Sequence, residues 1–381
     1  MTPPLIFTPT RHKEEKMKKI VLGFLLLFLV VSVVGCQSSG EKPEGSSTLK
    51  VGFIYIGDPA DGGFTKMHDE GRKYLVEKLG VETTEIMNID DMDAQTFNTR
   101  VRELIDQGNK LIIATSYGYG QPEYELAQDF PDITFLHFSG DFLNSNMGNY
   151  FGKMYEARYI AGAVTGLNIP EGGVVGYVAA FPIPEVIRAI NAFTLGLQST
   201  NPTATVKVAW TNTWFDPTVE KQAGEGLVQQ GVKAMTIHQD TPSALQPMVD
   251  AGGWAVGYHT DMSESLGNDC LISAVWNLGP YYVKQVQAVI DGTWKSEAIW
   301  GGFEDGENNM VTVSKVSPKA VDGSQQLADE LVAKITNGEL KVFSGPIYDN
   351  TGKLQIAEGT VYPASEIWNM EWFVAGVSVV N

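Results

Sequence analysis

The 381-residue chain has only two cysteines, Cys36 and Cys270, too few for any cysteine-based zinc site. Basic residues are also scarce: 27 Lys and Arg stand against 45 Asp and Glu, for a net charge of −18. A surface that acidic repels nucleic acid and anionic lipid, so no nucleic-acid partner is expected. The five histidines (His12, His68, His137, His238, His259) show no H-E-x-x-H or comparable ligand spacing. No metal or cofactor site is expected. The G-x-S-x-G elbow of α/β hydrolases is missing, and Cys270 lies in an apolar run, where a thiol is ordinarily buried and inert. No run after the first 36 residues approaches membrane-spanning length.

The N-terminal region holds the one long apolar run. Residues 17–36 read MKKIVLGFLLLFLVVSVVGC: Lys18 and Lys19 form a positive head, and Ile20 to Val34 a charge-free core of 15 residues. A spanning helix needs about 18–20 apolar residues, so this stretch reads as a secretory signal. Its small residues before Cys36 resemble a bacterial lipoprotein lipobox, which implies that Cys36 is acylated and becomes the new N-terminus. Each buried methylene contributes about 0.8 kcal/mol, so two or more acyl chains hold a protein to a bilayer. Met17 reads as the start of that signal, because the residues before it suit none. Removing residues 1–36 takes away five basic and two acidic residues, moves the charge from −18 to −21, and leaves no partner for Cys270. The segment QSSGEKPEGSST that follows Cys36 is short and polar, as a flexible leash would be.

The 345 residues from Gln37 onward suit two domains better than one core. Short Val- and Ile-rich runs alternate with amphipathic stretches. The runs predict strands at 51–56, 111–115, 134–138, 174–178, 206–210, 234–238, 255–258 and 271–275, of the kind buried on both faces of a parallel sheet. Between them, Met67, Tyr74, Leu75 and Leu79, and again Phe97, Val101, Leu104 and Ile105, fall at helical spacing. This alternation predicts α/β architecture with doubly wound sheets. The period runs to Gly166 and restarts at Gly172, which suggests two similar lobes.

Ligands of open α/β sheets bind beyond the carboxyl ends of the strands. The segments there are GDPADGGFTKMHD, SYGYGQP, AAFPIPEV, TNTWFDP, HQDTPSA, YHTDMSE and WNLGPYY. They carry the rings of Phe64, Tyr117, Tyr119, Trp214, Phe215 and Trp276, with Asp61, Asp216, Asp240 and Asp261 among them. Rings with interspersed acceptors suit a flat, polar-edged heterocycle. GDPADGGF lacks the G-K-[ST] of a phosphate loop, and its aspartates would repel phosphate. Gly62 and Gly63 instead permit a tight turn that aims Phe64 at a cleft. His68, on the first helix, reads as a surface or hinge residue.

At these residues the chain resembles the basic membrane protein family of lipoproteins, the purine-binding components of ABC importers. KVGFIYIG, GGFT with MHDEG behind it, YEARYIAGAVTG, VGYVAAFPIPEVIRAINAF, NTWFDP and GPYYVKQVQAVIDGTW carry the likeness through their order and spacing. The resemblance implies a type I periplasmic-binding-protein fold, two Rossmann-like lobes joined by three crossovers. After the signal (1–36) and linker (37–47), lobe one would take 48–166 and 277–298. Lobe two would take 167–276 and 299–320, with a C-terminal extension over 321–381.

The resemblance also implies a site. Phe64, with Thr65 beside it, would stack on one face of a purine, and Trp214 or Phe215 would cover the other; Tyr117, Asp240, Thr241 and Asp261 would complete the contacts. Nucleoside-binding relatives often have a lysine where Trp276 stands here, which removes a sugar-directed donor and favours a free base such as adenine over a nucleoside. The expected protein is thus a non-enzymatic, lipid-anchored, extracytoplasmic component that delivers a purine to an ABC permease. The alternatives are a nucleoside binder of the same kind, a ligand sensor feeding a membrane receptor, or an extracytoplasmic enzyme acting on nucleosides.

Overall fold

A computed structural model of the chain describes residues 49–380. The apolar segment 17–36, its Cys36 and the linker 37–47 lie outside the described residues. Among the described residues no helix is long and apolar enough to cross a membrane.

The runs of Val, Ile, Leu and Ala have no polar face to turn to water, and each becomes an interior strand covered by helices on both sides. The first stretch comprises β1 (Lys50–Ile54), α1 (Phe64–Leu79), β2 (Glu82–Ile86), α2 (Ala94–Asp106), β3 (Leu111–Ala114), α3 (Gly120–Asp129), β4 (Thr134–Phe138) and β5 (Met147–Gly152). Helix α4 (Met154–Asn168) crosses to β6 (Val174–Ala179), α5 (Pro184–Thr200), β7 (Thr205–Trp210), α6 (Pro217–Gln229), β8 (Ala234–His238), α7 (Gln246–Asp250), β9 (Trp254–His259), α8 (Ser263–Leu266) and β10 (Cys270–Trp276). Helix α9 (Leu278–Ile290) returns to β11 (Ala298–Gly301). The chain then crosses once more to β12 (Val311–Val313), α10 (Ser324–Thr336), the pair β13 (Ile347–Tyr348) and β14 (Leu354–Ile356), α11 (Ala364–Trp368) and β15 (Val377–Val380).

Two sheets result, in the orders β11-β5-β4-β3-β1-β2 and β12-β10-β9-β8-β6-β7-β15. All pairings in both are parallel except β10 with β12. The chain passes between the sheets three times, after β5, after β10 and after β11. This is the α/β, two-lobed arrangement expected from the sequence.

The sequence boundary at Gly166 differs from the observed one. Helix α4 packs on α5, β10 and β12, so the chain leaves the first lobe at Gly152. The cause is small residues: a Cβ at Gly162 would strike the Phe193 carbonyl, and one at Gly196 would strike that of Tyr159. The two helix backbones therefore lie against each other, and nearly every residue of α4 up to Gly166 is buried. The first lobe also extends past 298, because β11 through Gly301 pairs with β5. The C-terminal extension is not a separate body, since β15 adds a strand beside β7.

Candidate functional site

The carboxyl ends of both sheets face each other, and the first contact between them is made by the turn after β1. Asp61 accepts hydrogen bonds from the backbone N–H groups of Gly63 (2.9 Å), Thr65 (2.6 Å) and Lys66 (3.1 Å), which fixes the start of α1 and the place of Phe64. Gly63 lies directly under the Asp240 carbonyl of the other lobe, where no Cβ would fit. The Thr260 hydroxyl donates to the Gly62 carbonyl (3.0 Å), and Lys66 pairs with Glu264 (2.6 Å), both across the lobe boundary.

Phe64 is half-buried at this boundary and meets three rings edge-on: His68 at 5.1 Å, Phe138 at 5.9 Å and His259 at 5.5 Å between centroids. His259 comes from the second lobe and has a left-handed backbone (φ 70°), rare for a residue with a side chain. Its imidazole stacks on Tyr258 at 3.6 Å, and the Arg158 guanidinium lies 3.7 Å from the centre of that same tyrosine ring. Trp276 ends β10 and is buried between Phe138 and Phe151, each at 5.2 Å, with its Nε1–H donated to His259 Nδ1 (3.2 Å). Gly152 leaves room for the indole, since a Cβ there would come within 2.5 Å of it.

Several buried polar atoms around these rings have no partner among the described residues: His68 Nε2, His259 Nε2, His238 Nδ1 and Gln239 Oε1. Burial pushes the His68 imidazole down to about 3 and that of His238 to about 4, and holds His259 well below its ordinary value. All three are neutral at physiological pH. Burial, with Asp61, Glu220 and Glu185 nearby, holds the Asp240 carboxyl well above the usual carboxylate range. Uncharged donors and acceptors beside aromatic rings suit a neutral, planar, polar-edged solute.

The structure brings Phe64, Trp276 and Asp240 to one place and keeps other expected residues apart from it. Trp214 has ring contacts with Phe181 (5.4 Å) and His238 (6.2 Å), not Phe64, and Phe215 is 55% exposed. The ring opposite Phe64 is that of His259. The cause is the anchoring of the 211–216 turn, where Asp216 caps α6 through Thr218 and Val219 N–H and Gln239 donates to the Thr211 hydroxyl (2.6 Å). Tyr117 is 73% exposed. Thr65 is buried under Gly57, and Thr241 donates to buried Glu220 (2.5 Å). Asp261 accepts from Ser263 N–H (3.0 Å) in the turn into α8. Three of the four aspartates read as solute acceptors thus hold turns and helix starts.

His68 is a correction: it is fully buried, with Nδ1 bonded to the Tyr282 hydroxyl (2.9 Å), which in turn meets Tyr150 (2.9 Å). The sequence reading had no role for His238, Gln239, His259 or Phe138. HQD and YHTD do stand at strand ends, and that position is the signal that would have found three of them.

Comparison with known proteins agrees with this architecture. Residues 48–345 match the family described as ABC transporter substrate-binding protein, PnrA-like. A purine-binding protein of Brucella abortus is 39% identical over 92% of this chain and 98% of its own length. A putative ABC transporter glucose-binding protein of Haloferax volcanii is 37% identical over 82% of this chain and 78% of its own. Among solved structures, an ABC transporter solute-binding protein from Conexibacter woesei superimposes with a TM-score of 0.66 at 21% identity, covering 77% of this chain and 98% of its own. The chain belongs to the PnrA-like family of ABC transporter substrate-binding proteins.

Proposed function

We propose that this protein captures a purine base, adenine or a close relative, between its lobes outside the cell and delivers it to an ABC permease, tethered by an acyl group on Cys36. The observation that carries the reading is the meeting of Phe64 and His259 from opposite lobes beside Trp276, ringed by four buried polar atoms without partners. The likeness to the Brucella purine-binding protein supports it. No chemistry on the solute is called for.

Each lobe carries half of the site, so only the closed form contacts both faces of the solute, which stabilises closure by its preference for that form. Phe64 and His259 now touch, and a ring enters by parting them. Micromolar capture needs about −8 kcal/mol. Stacking contributes about 1–3 kcal/mol per base in ring contacts of this kind, and hydrogen bonds to the orphan atoms about 0.5–1.5 kcal/mol each.

Calorimetry with adenine, adenosine and glucose tests the reading, together with mass spectrometry of the small molecule released on denaturation. Adenine should bind at micromolar concentration or tighter, adenosine more weakly, and glucose not at all. Phe64→Ala should weaken adenine by about 5- to 150-fold, from the stacking range of about 1–3 kcal/mol. Tight glucose binding without adenine binding overturns the proposal and favours a sugar carrier.

A further inference from the structure

We propose that His259 reads the hydrogen-bonding edge of the solute, presenting a fixed Nε2–H donor beside the Asp240 carboxyl, so that the site selects a ring-nitrogen acceptor next to an exocyclic amino group. This rests on the purine reading above and goes further, because it names the edge that is recognised and the residue that selects it.

An indole nitrogen only donates, so the bond from Trp276 to His259 Nδ1 (3.2 Å) makes Nδ1 the acceptor and leaves the single imidazole hydrogen on Nε2. Among the described residues that hydrogen has no well-formed bond: Nε2 is buried, the Gln239 backbone lies near the ring without bonding geometry, and the nearest carboxylate oxygen, Asp240 Oδ1, is 3.8 Å away, beyond hydrogen-bond reach. A buried N–H without an acceptor is costly and uncommon.

The ring is also held in place. Tyr258 stacks under it at 3.6 Å, Trp276 grips Nδ1, and Phe64 meets it edge-on at 5.5 Å. Burial is the main cause of its neutral state, and the Arg158 guanidinium against the far ring of the stack adds to it.

A donor and a carboxyl oxygen 3.8 Å apart at the lobe boundary match two adjacent positions on one edge of a heterocycle that parts Phe64 from His259. The ring nitrogen of an amidine edge takes the His259 hydrogen, and its amino group donates to Asp240. Carbohydrate hydroxyls, which both donate and accept, would not need a fixed tautomer.

The experiment uses adenine and the three analogues in which N1, N3 or N7 is replaced by C–H, measured by calorimetry on the wild-type protein and on His259→Phe. Phenylalanine keeps the stack on Tyr258 and removes the donor. In the wild type, the N1 or the N7 analogue should bind about 5- to 150-fold more weakly than adenine, the cost of leaving the donor unpaired, whereas a loss confined to the N3 analogue overturns the proposal because no amino group adjoins N3. In His259→Phe adenine itself should fall by a similar factor, and the difference between adenine and that analogue should vanish. Equal binding of all four compounds by the wild type overturns the proposal without any variant being needed. Unchanged discrimination in His259→Phe also overturns it. Both results leave purine capture standing, whereas failure of the wild type to bind adenine at all removes the purine reading itself.

Discussion

Gly63 offers a perturbation that separates closure from folding. It sits on the first lobe, and its missing Cβ is what admits the Asp240 carbonyl of the second. Gly63→Ala puts a methyl group into backbone of the opposite lobe, a partner that cannot swing aside as a side chain would. Relief comes only from parting the lobes, which also lengthens the neighbouring Thr260–Gly62 bond (3.0 Å) and the Lys66–Glu264 pair. Overpacking by a methyl group costs about 1–3 kcal/mol. Because this cost falls on the closed form alone, it appears as a loss of affinity of about 5- to 150-fold. Each lobe keeps its own core, so thermal unfolding without ligand should change little. Calorimetry with adenine and a melting curve on the same sample provide the test. Wild-type affinity in Gly63→Ala would refute the reasoning, since the lobes would then bind solute without this approach. A collapse of the melting temperature would refute it differently, by making Gly63 a folding residue.

Two further outcomes follow from the same geometry. Lys66→Ala removes a lobe-bridging ion pair whose carboxylate is largely exposed, so screening limits the loss to about 0.2–1 kcal/mol; affinity should drop by no more than several-fold, and the drop should shrink in high salt. Glu220 is pushed up to about 7, mainly by burial and against the opposing bonds from Thr241 and Asp216 N–H. A carboxyl raised in the folded chain holds its proton more tightly there than in the unfolded chain, so stability is lost as pH rises from about 4.5 through 7. Glu220→Gln should therefore melt higher than wild type at pH 8 and converge with it at pH 4.5, and an equal offset at both values would disprove this cause.

The eight strands read from Val- and Ile-rich runs are all present, because a strand buried on both faces has a composition that little else shares. Strand β2, ETTEI, escapes that reading because it lies at a sheet edge and is no more than half-buried. Strand β5, MGNYFG, escapes it for another reason: fully buried, it includes glycine and an asparagine whose amide bonds loop carbonyls. The lobe boundary was misread because α4 continues the β-α rhythm of the first lobe while its glycines seat it on the second.

At the site, Phe64 and Trp276 were legible as rings at strand ends. The aspartates misled, since a carboxylate after a strand is as often a helix cap as a solute acceptor; Asp216-Pro217-Thr218 has the form of a cap followed by a first-turn proline. The histidines were weighed as metal ligands, and a buried imidazole packed among aromatic rings at a lobe boundary has no spacing rule to reveal it.

Gly152, Trp276 and Val311 pack against one another. Each belongs to a different one of the three passages between lobes, and they meet, with a Cβ on Gly152 coming within 2.5 Å of the indole and 2.8 Å of Val311. The indole proposed to border the solute is therefore also packed where the three passages between lobes meet. A substitution at position 276 should thus change how fast the lobes open as well as what they hold.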